Sequence, residues 1–360
     1  MRTSVSARWL RTAAEVPESA VDGRHFSTTV GWSRGWEGVR TERVVDHRHL
    51  LLEGGPVAEL VPYYLVSRSP LWDAYESDAG IGPIWSGPVV YSASLYGEYG
   101  GAGGSTPEYI ATCVDLGREQ TARWAAEALI FGNLTSAEVD AWSAIRPGGT
   151  AVLVDRAYAA PIGGADSPLP AMRGRVRREL VRQWRRAKDG GLRLRVLAGA
   201  EMLPALDEFT DLAMAAAEKH GINIYGKDIF ENLAGAPGAM LLVAEHDGRM
   251  AAAFLCFLHR RRFSMWTGGI NYLHLRELKT YAFLMYESMT YAAAHGAEIV
   301  DPGRGNFVYK ERHGFLGTDL WALVYPTTPR PALREALRRM SEGIHGYITR
   351  SLRRDELAAL

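Results

Sequence analysis

MLLVAEHDGRMAAAFLCFLHRRRFSMWT, residues 240–267, is the stretch that decides the fold. Residues 240–245 and 250–258 are apolar runs of strand length separated by His246-Asp247-Gly248, which predicts a hairpin closed by an Asp-Gly turn. Residues 263–267 add a third strand before any helix intervenes, with Gly268-Gly269 read as the turn that ends it. Three successive strands exclude a fold built only from alternating strands and helices.

Upstream, Val176, Leu180, Trp184 and Ala187 recur at helical spacing until Gly190-Gly191 stops them. Leu192, Leu194 and Val196 then alternate with Arg193 and Arg195 as a strand, and Leu203, Leu206, Phe209, Leu212 and Ala216 share one helix face. Residues 227–233 give a shorter helix. Downstream, Leu278, Tyr281, Ala282, Met285, Met289, Ala292 and Ala293 predict a long helix ended by His295-Gly296. A strand over 297–300, a short helix over 306–312 and a final strand over 320–325 follow. After the helix that opens the second half, the order is β-α-α-β-β-β-α-β-α-β.

The first half is less legible. Residues 1–23 read as a tail, 49–52 and 56–65 as a hairpin about Gly54-Gly55, and 117–131 as a helix ending near Gly132-Asn133. The Gly-rich segment 91–105 reads as a mobile loop; it could cradle a phosphate but lacks the lysine and spacing of a P-loop. A strand covers 150–154, and the Gly, Pro, Asp and Ser of 162–170 mark a boundary. The expected organisation is therefore a tail (1–23), a first domain (24–167), a second domain (168–345) and a C-terminal tail (346–360).

Lys+Arg and Asp+Glu are both 41, which argues against non-specific coating of nucleic acid but leaves room for one basic patch. Cys113 and Cys256 have no metal-ligand spacing and read as reduced core residues. His47, His49, His220, His246, His259, His274 and His295 include no helical i, i+4 pair, so no metal is expected. No apolar segment has signal or membrane-span length, and the expected location is cytoplasmic.

The run YESMTYAAAHGA (286–297), then Asp301-Pro302-Gly303-Arg304-Gly305-Asn306, Tyr309-Lys310 and Gly314-Phe315, resembles one branch of the GNAT superfamily. That branch holds the Fem-type aminoacyl transferases, the peptidoglycan-biosynthesis-like proteins and the "acetyltransferase 6" domains. The resemblance implies an α+β tandem GNAT fold, a mixed central sheet flanked by helices, with a degenerate first unit. It implies an acyltransferase with no tightly bound cofactor, using an acyl donor as co-substrate and acting on a small-molecule amine.

By the same resemblance Lys310 faces donor phosphate or the reacting carbonyl, where an ammonium could stabilise an oxyanion. Asp301, at a strand end, could cap the next helix, orient Arg304 or take a proton from the amine. Gly303, Gly305 and Asn306 allow an irregular backbone beside Arg304, and Gly268 and Gly269 allow close approach to a ligand or simply a turn. Tyr309 and His313 are further candidates. Arg175, Arg178, Arg182 and Arg185, within the series Arg173, Arg175, Arg177, Arg178, Arg182, Arg185, Arg186 and Lys188, form either a solvated helix face or a site for tRNA, coenzyme A phosphates or a nucleotide.

Acetyl-CoA users of the superfamily carry an [RQ]-x-x-G-x-[GA] turn before the long helix. Residues 268–276 have no such motif, which tilts the donor toward aminoacyl-tRNA, with acyl-CoA or an acyl carrier protein as the alternative. A non-catalytic GNAT-like binding protein is the reading from another class.

Overall fold

Side-chain caps set the starts of the early helices. In chain order the first part contains β1 (Ser6–Leu10), α1 (Val30–Glu37), β2 (Val44–Glu53), β3 (Glu59–Val66), α2 (Pro70–Ala79), β4 (Val89–Ser92), α3 (Pro107–Arg123), β5 (Ala128–Thr135), α4 (Ser136–Ile145) and β6 (Thr150–Pro161). Thr29, Ser69, Thr106 and Thr135 cap α1 to α4 by accepting a first-turn backbone N–H, and Pro70 and Pro107 fill the first position of α2 and α3. The second part contains α5 (Gly174–Asp189), β7 (Arg193–Ala198), α6 (Leu206–Lys219), α7 (Lys227–Leu233), β8 (Ala239–His246), β9 (Arg249–His259), β10 (Arg262–Ile270), α8 (Leu275–Leu278), α9 (Thr280–Ala294), β11 (Ile299–Arg304) and α10 (Phe307–Arg312). The chain closes with β12 (Leu316–Pro326) and α11 (Pro331–Ala358). The computed structural model describes residues 5–21, 23–54, 58–100, 106–163, 172–219, 224–273 and 275–358.

Contacts divide the chain into Met1–Arg156 with Thr318–Leu360, and Ala157–Gly317. In the second unit β7, β8, β9 and β10 form an antiparallel meander, β11 lies parallel to β10, and residues 157–161 of β6 pair antiparallel with β11. The first unit repeats the pattern: β1 to β4 are antiparallel, β5 lies parallel to β4, and β12 pairs antiparallel with β5. Each unit is thus a mixed sheet flanked by helices, and the sheet order read from 240–267 holds.

Several expectations change. Residues 6–10 are an edge strand paired with β2, and the C-terminal residues continue α11 to Ala358, so neither end is a plain tail. The helix expected over 117–131 ends at Arg123, because the apolar run from Ala128 is a strand buried between β4 and β12. Residues 93–100 are buried, which fits a packed connection and not an exposed mobile loop; 101–105 lie outside the described residues. The expected boundary segment falls largely on 164–171, also outside them. The final strand completes the first unit's sheet instead of the second's. Local composition marks linkers, but strand pairing assigned by tertiary contact does not show in composition.

The first unit's core gathers Leu50, Val61, Tyr63, Phe131, Trp142, Leu323 and Tyr325. Elsewhere in the same unit Glu42 is fully buried, accepting from Trp36 Nε1 at 2.9 Å, Ser69 Oγ at 3.1 Å and Ser94 Oγ at 3.5 Å. Burial pushes its carboxyl from 4.5 up to about 7 against those hydrogen bonds. Between these values the folded chain holds a proton the unfolded chain has released, so stability falls as pH rises from 4.5 to about 7 and is flat above. The full loss is on the order of 3 kcal/mol. Burial raises Glu59 to about 7 as well, with the same sign. Glu42→Gln should flatten the melting-temperature profile between pH 5 and 8; parallel profiles for variant and wild type would refute the assignment.

Cys113 and Cys256 are buried free thiols. Among the described residues no helix is long and apolar enough to cross a membrane.

Candidate active site

The parallel pairing of β10 and β11 stops at Ser264↔Asp301, although β10 runs on to Ile270 and β11 to Arg304. Beyond that point the strands part, and backbone groups that a ladder would use become available to another partner. Asp301 sits at the parting. Its carboxylate is fully buried, accepting from Arg262 Nη1 at 3.0 Å and from the Gly303 amide at 3.0 Å. Both oxygens are engaged, so Asp301 orients the turn and Arg262; it is poorly placed for proton abstraction.

Gly303, Gly305 and Asn306 all take left-handed backbone angles, with φ of 73°, 67° and 47°, and so turn the chain sharply into α10. Lys310 reaches back under this turn. Its Nζ donates to Arg304 O at 2.7 Å, lies 5.7 Å from the centre of the Tyr158 ring, and the residue is only 2% exposed. Tyr158 Oη in turn donates to Glu311 Oε1 at 3.0 Å. The resemblance sets Lys310 against donor phosphate or the reacting carbonyl; in the fold its side chain is turned inward, with the ammonium held by the Arg304 carbonyl and the Tyr158 ring.

Tyr309 packs edge-on against Tyr281 at 4.9 Å and stacks on His313 at 3.8 Å. His313 Nδ1 lies 2.6 Å from Tyr309 O, and burial holds its imidazole below the usual range. Tyr309 Oη is buried with no hydrogen-bond partner, and burial keeps its phenol well above 10. Thr280 Oγ1, in the first turn of α9, is a second buried hydroxyl without a partner. Tyr281 is pushed up to about 12 by burial, partly opposed by a hydrogen bond with Asn306. Unlike α1 to α4, α9 and α10 start from the left-handed Lys279 and Asn306 with no side-chain cap. Uncapped first-turn amides favour carbonyl oxygen or anions.

Gly268 and Gly269 lie within β10 and not in a turn after it. A Cβ on Gly269 would sit 2.8 Å from Leu212 Cβ and 2.9 Å from Ala213 N, and one on Gly268 would sit 2.9 Å from Phe254. These glycines admit α6 and the Phe254 ring, and Phe254 in turn meets Tyr281 at 5.7 Å. The structure thus links Gly268 to Tyr309 through Phe254 and Tyr281. Sequence reasoning missed Tyr158, Arg262 and Tyr281. Tyr281 carried only a helix-face signal, and Tyr158 lay in what read as the first domain.

Arg175, Arg178, Arg182 and Arg185 are exposed on α5. The opposite face meets α9, where Trp184 Nε1 donates to Glu287 Oε1 at 2.8 Å and its ring packs on Tyr286 at 4.5 Å. Arg182 also pairs with Glu179 at 2.8 Å.

Residues 174–311 match the "acetyltransferase 6" family model, an acetyltransferase (GNAT) domain. This segment is similar to a GNAT domain. Among solved structures, FemX has the same fold at 12% identity and a TM-score of 0.58, covering 81% of this chain and 90% of that one. The C-terminal DUF2156 domain of a protein named as a lysylphosphatidylglycerol synthetase, from Agrobacterium fabrum, is similar at 12% identity and 0.52, covering 79% and 87%. L-PGS from Bacillus licheniformis is similar at 12% and 0.51, covering 78% and 86%. No curated protein sequence matches. The matched segment contains the parted strands, the 301–306 turn, Tyr309 and Lys310.

Proposed function

We propose that the chain forms an amide by direct attack of a small-molecule amine on an aminoacyl-tRNA ester. The observation that carries the choice of donor is the connection from β10 to α9. It contains no glycine after Gly269, and it is filled by the helical turn α8 and by Lys279 at φ 54°. A pyrophosphate is best cradled by a glycine-rich run of amides leading into the helix; here the first turn of α9 presents free amides, but no glycine-rich loop precedes it. The exposed arginines of α5 supply the complementary feature, a cationic face for a polyanion. FemX and the lysylphosphatidylglycerol synthetases, whose fold the chain shares, are in keeping with an aminoacyl donor.

In this mechanism the amine nitrogen adds to the ester carbonyl, the tetrahedral oxyanion collapses, the C–O bond to the tRNA breaks, and the released hydroxyl takes a proton. Tyr309 Oη–H, neutral across the working pH range, is the proposed donor to the oxyanion, with Thr280 Oγ1 and the first-turn amides of α9 as further candidate donors. Lys310 and Asp301 act by holding the 301–306 turn. Arg304 and Asn306 flank the acyl group from the turn; Gly268 and Gly269 keep the neighbouring wall close.

The test offers radiolabelled aminoacyl-tRNA and acyl-CoA to the protein with a panel of primary amines. Transfer from aminoacyl-tRNA alone supports the proposal. Transfer from acyl-CoA alone, in line with the family's acetyltransferase description, would replace it with the coenzyme A reading, and no transfer from either would favour a binding protein. Reversing Arg175, Arg178, Arg182 and Arg185 to Glu together should weaken tRNA binding by at least on the order of 100-fold at low salt and flatten its salt dependence. An unchanged salt slope would return these residues to an ordinary solvated face.

A further inference from the structure

The histidines carry a second message, in the first unit and independent of acyl transfer. His47 and His49 are two apart on β2 and so project to the same side of the strand. Their rings are 5.6 Å apart, and the last residue of α1, Glu37, meets both. His49 Nε2 is 2.7 Å from Glu37 Oε1, and His47 Nε2 is 3.8 Å from Glu37 Oε2. The three ligand atoms all fall within 4.8 Å of one another. A helical i, i+4 criterion passes over this pair because a strand brings alternate residues together.

We propose that Glu37, His47 and His49 bind a divalent transition ion of the zinc class. In a tetrahedral site with bonds of about 2.0–2.1 Å, ligand atoms stand roughly 3.3 Å apart. The 2.7 and 3.8 Å separations bracket that spacing. The longer one exceeds a hydrogen bond, so direct pairing leaves His47 beside the carboxylate without engaging it. Two imidazoles and one carboxylate form a donor set suited to zinc, nickel or copper, and not to calcium or magnesium.

The carboxylate is also held from behind as a metal-binding carboxylate requires. Thr12 Oγ1 donates to Oε2 at 2.7 Å and the Ala13 amide to Oε1 at 2.6 Å. His49 is fully buried and its Nδ1 has no hydrogen-bond partner, so the ring is fixed only through Nε2 and packing, including the edge of Tyr64 at 6.0 Å. His47 keeps 26% of its side-chain surface, which leaves one side of the cluster open for ion entry and for a water as fourth ligand. Bound there, the ion would tie the segment around Thr12 to α1 and β2.

The test uses the full chain stripped of metal with a chelator and dialysed. Co²⁺ is titrated as an optical probe and then displaced with Zn²⁺. The expected result is one saturating equivalent with the intense visible bands of four-coordinate cobalt, their loss on adding Zn²⁺, and a melting temperature that rises with Zn²⁺ concentration. His47→Ala, at the most exposed ligand, should weaken binding by on the order of 100-fold or more while melting like the metal-free wild type. Glu37→Gln should weaken it as well, and His246→Ala should bind as wild type does. The proposal is overturned if cobalt binding does not saturate near one equivalent, if His47→Ala retains wild-type affinity, or if zinc leaves the melting temperature unmoved.

Discussion

Tyr309→Phe is expected to lower acyl-transfer turnover by on the order of 100-fold while leaving the melting temperature unchanged or slightly higher. The unusual pairing of outcomes follows from the hydroxyl's position. Its ring is held between Tyr281 and His313, contacts that phenylalanine keeps. Its oxygen is buried without a partner, so removing it forfeits no hydrogen bond and relieves a desolvated polar group. Burial keeps the phenol protonated well above 10, so it can donate throughout the neutral range, and its own ionisation should leave no inflection in the rate profile there. The measurement is kcat beside the melting temperature of the same preparation. Wild-type turnover in Tyr309→Phe would remove Tyr309 from the reaction and leave the orphan hydroxyl without a role.

Lys310→Met is expected to cost both stability and rate. The side chain is nearly inaccessible, and its ammonium donates to a carbonyl and lies against an aromatic face. Losing a hydrogen bond from a charged donor in that setting costs about 2 kcal/mol, and the 301–306 turn loses the contact that draws Arg304 inward. Turnover should fall on the order of 100-fold because the left-handed residues Gly303, Gly305 and Asn306 then lack a fixed anchor. Methionine matches lysine's length without its charge, so the comparison isolates the ammonium. Lys310→Arg should not restore activity, since a planar guanidinium does not fit a slot shaped for a single Nζ. If Lys310→Met melts lower yet turns over normally at a temperature where it is folded, the lysine is structural alone.

Much of the fold was readable because its signals are local. Apolar runs and turn residues over 240–267 define three strands in any context. The Asp301–Lys310 neighbourhood was readable for the same reason: its glycines, asparagine and lysine lie within ten residues, and left-handed backbone is written into Gly and Asn.

What those residues do was settled by tertiary structure. The resemblance puts Lys310 at the donor, and only the fold shows that Tyr158, brought from β6 by its pairing with Gly303, covers its ammonium. Asp301 had three open roles until Arg262, from the start of β10, engaged its carboxylate. Gly268 and Gly269 looked like a turn because glycine often is one, yet they are small because Phe254 and α6 occupy the space a side chain would take. The last strand completes the first unit because β5 offers it an unpaired edge, and an edge is a property of the folded sheet. The sequence by itself located most strands and helices of the second half, since those depend on φ, ψ and neighbouring side chains. Which strand meets which edge, which charge is buried, and which hydroxyl is left without a partner were decided only when distant segments came together, because burial and pairing are properties of the packed molecule.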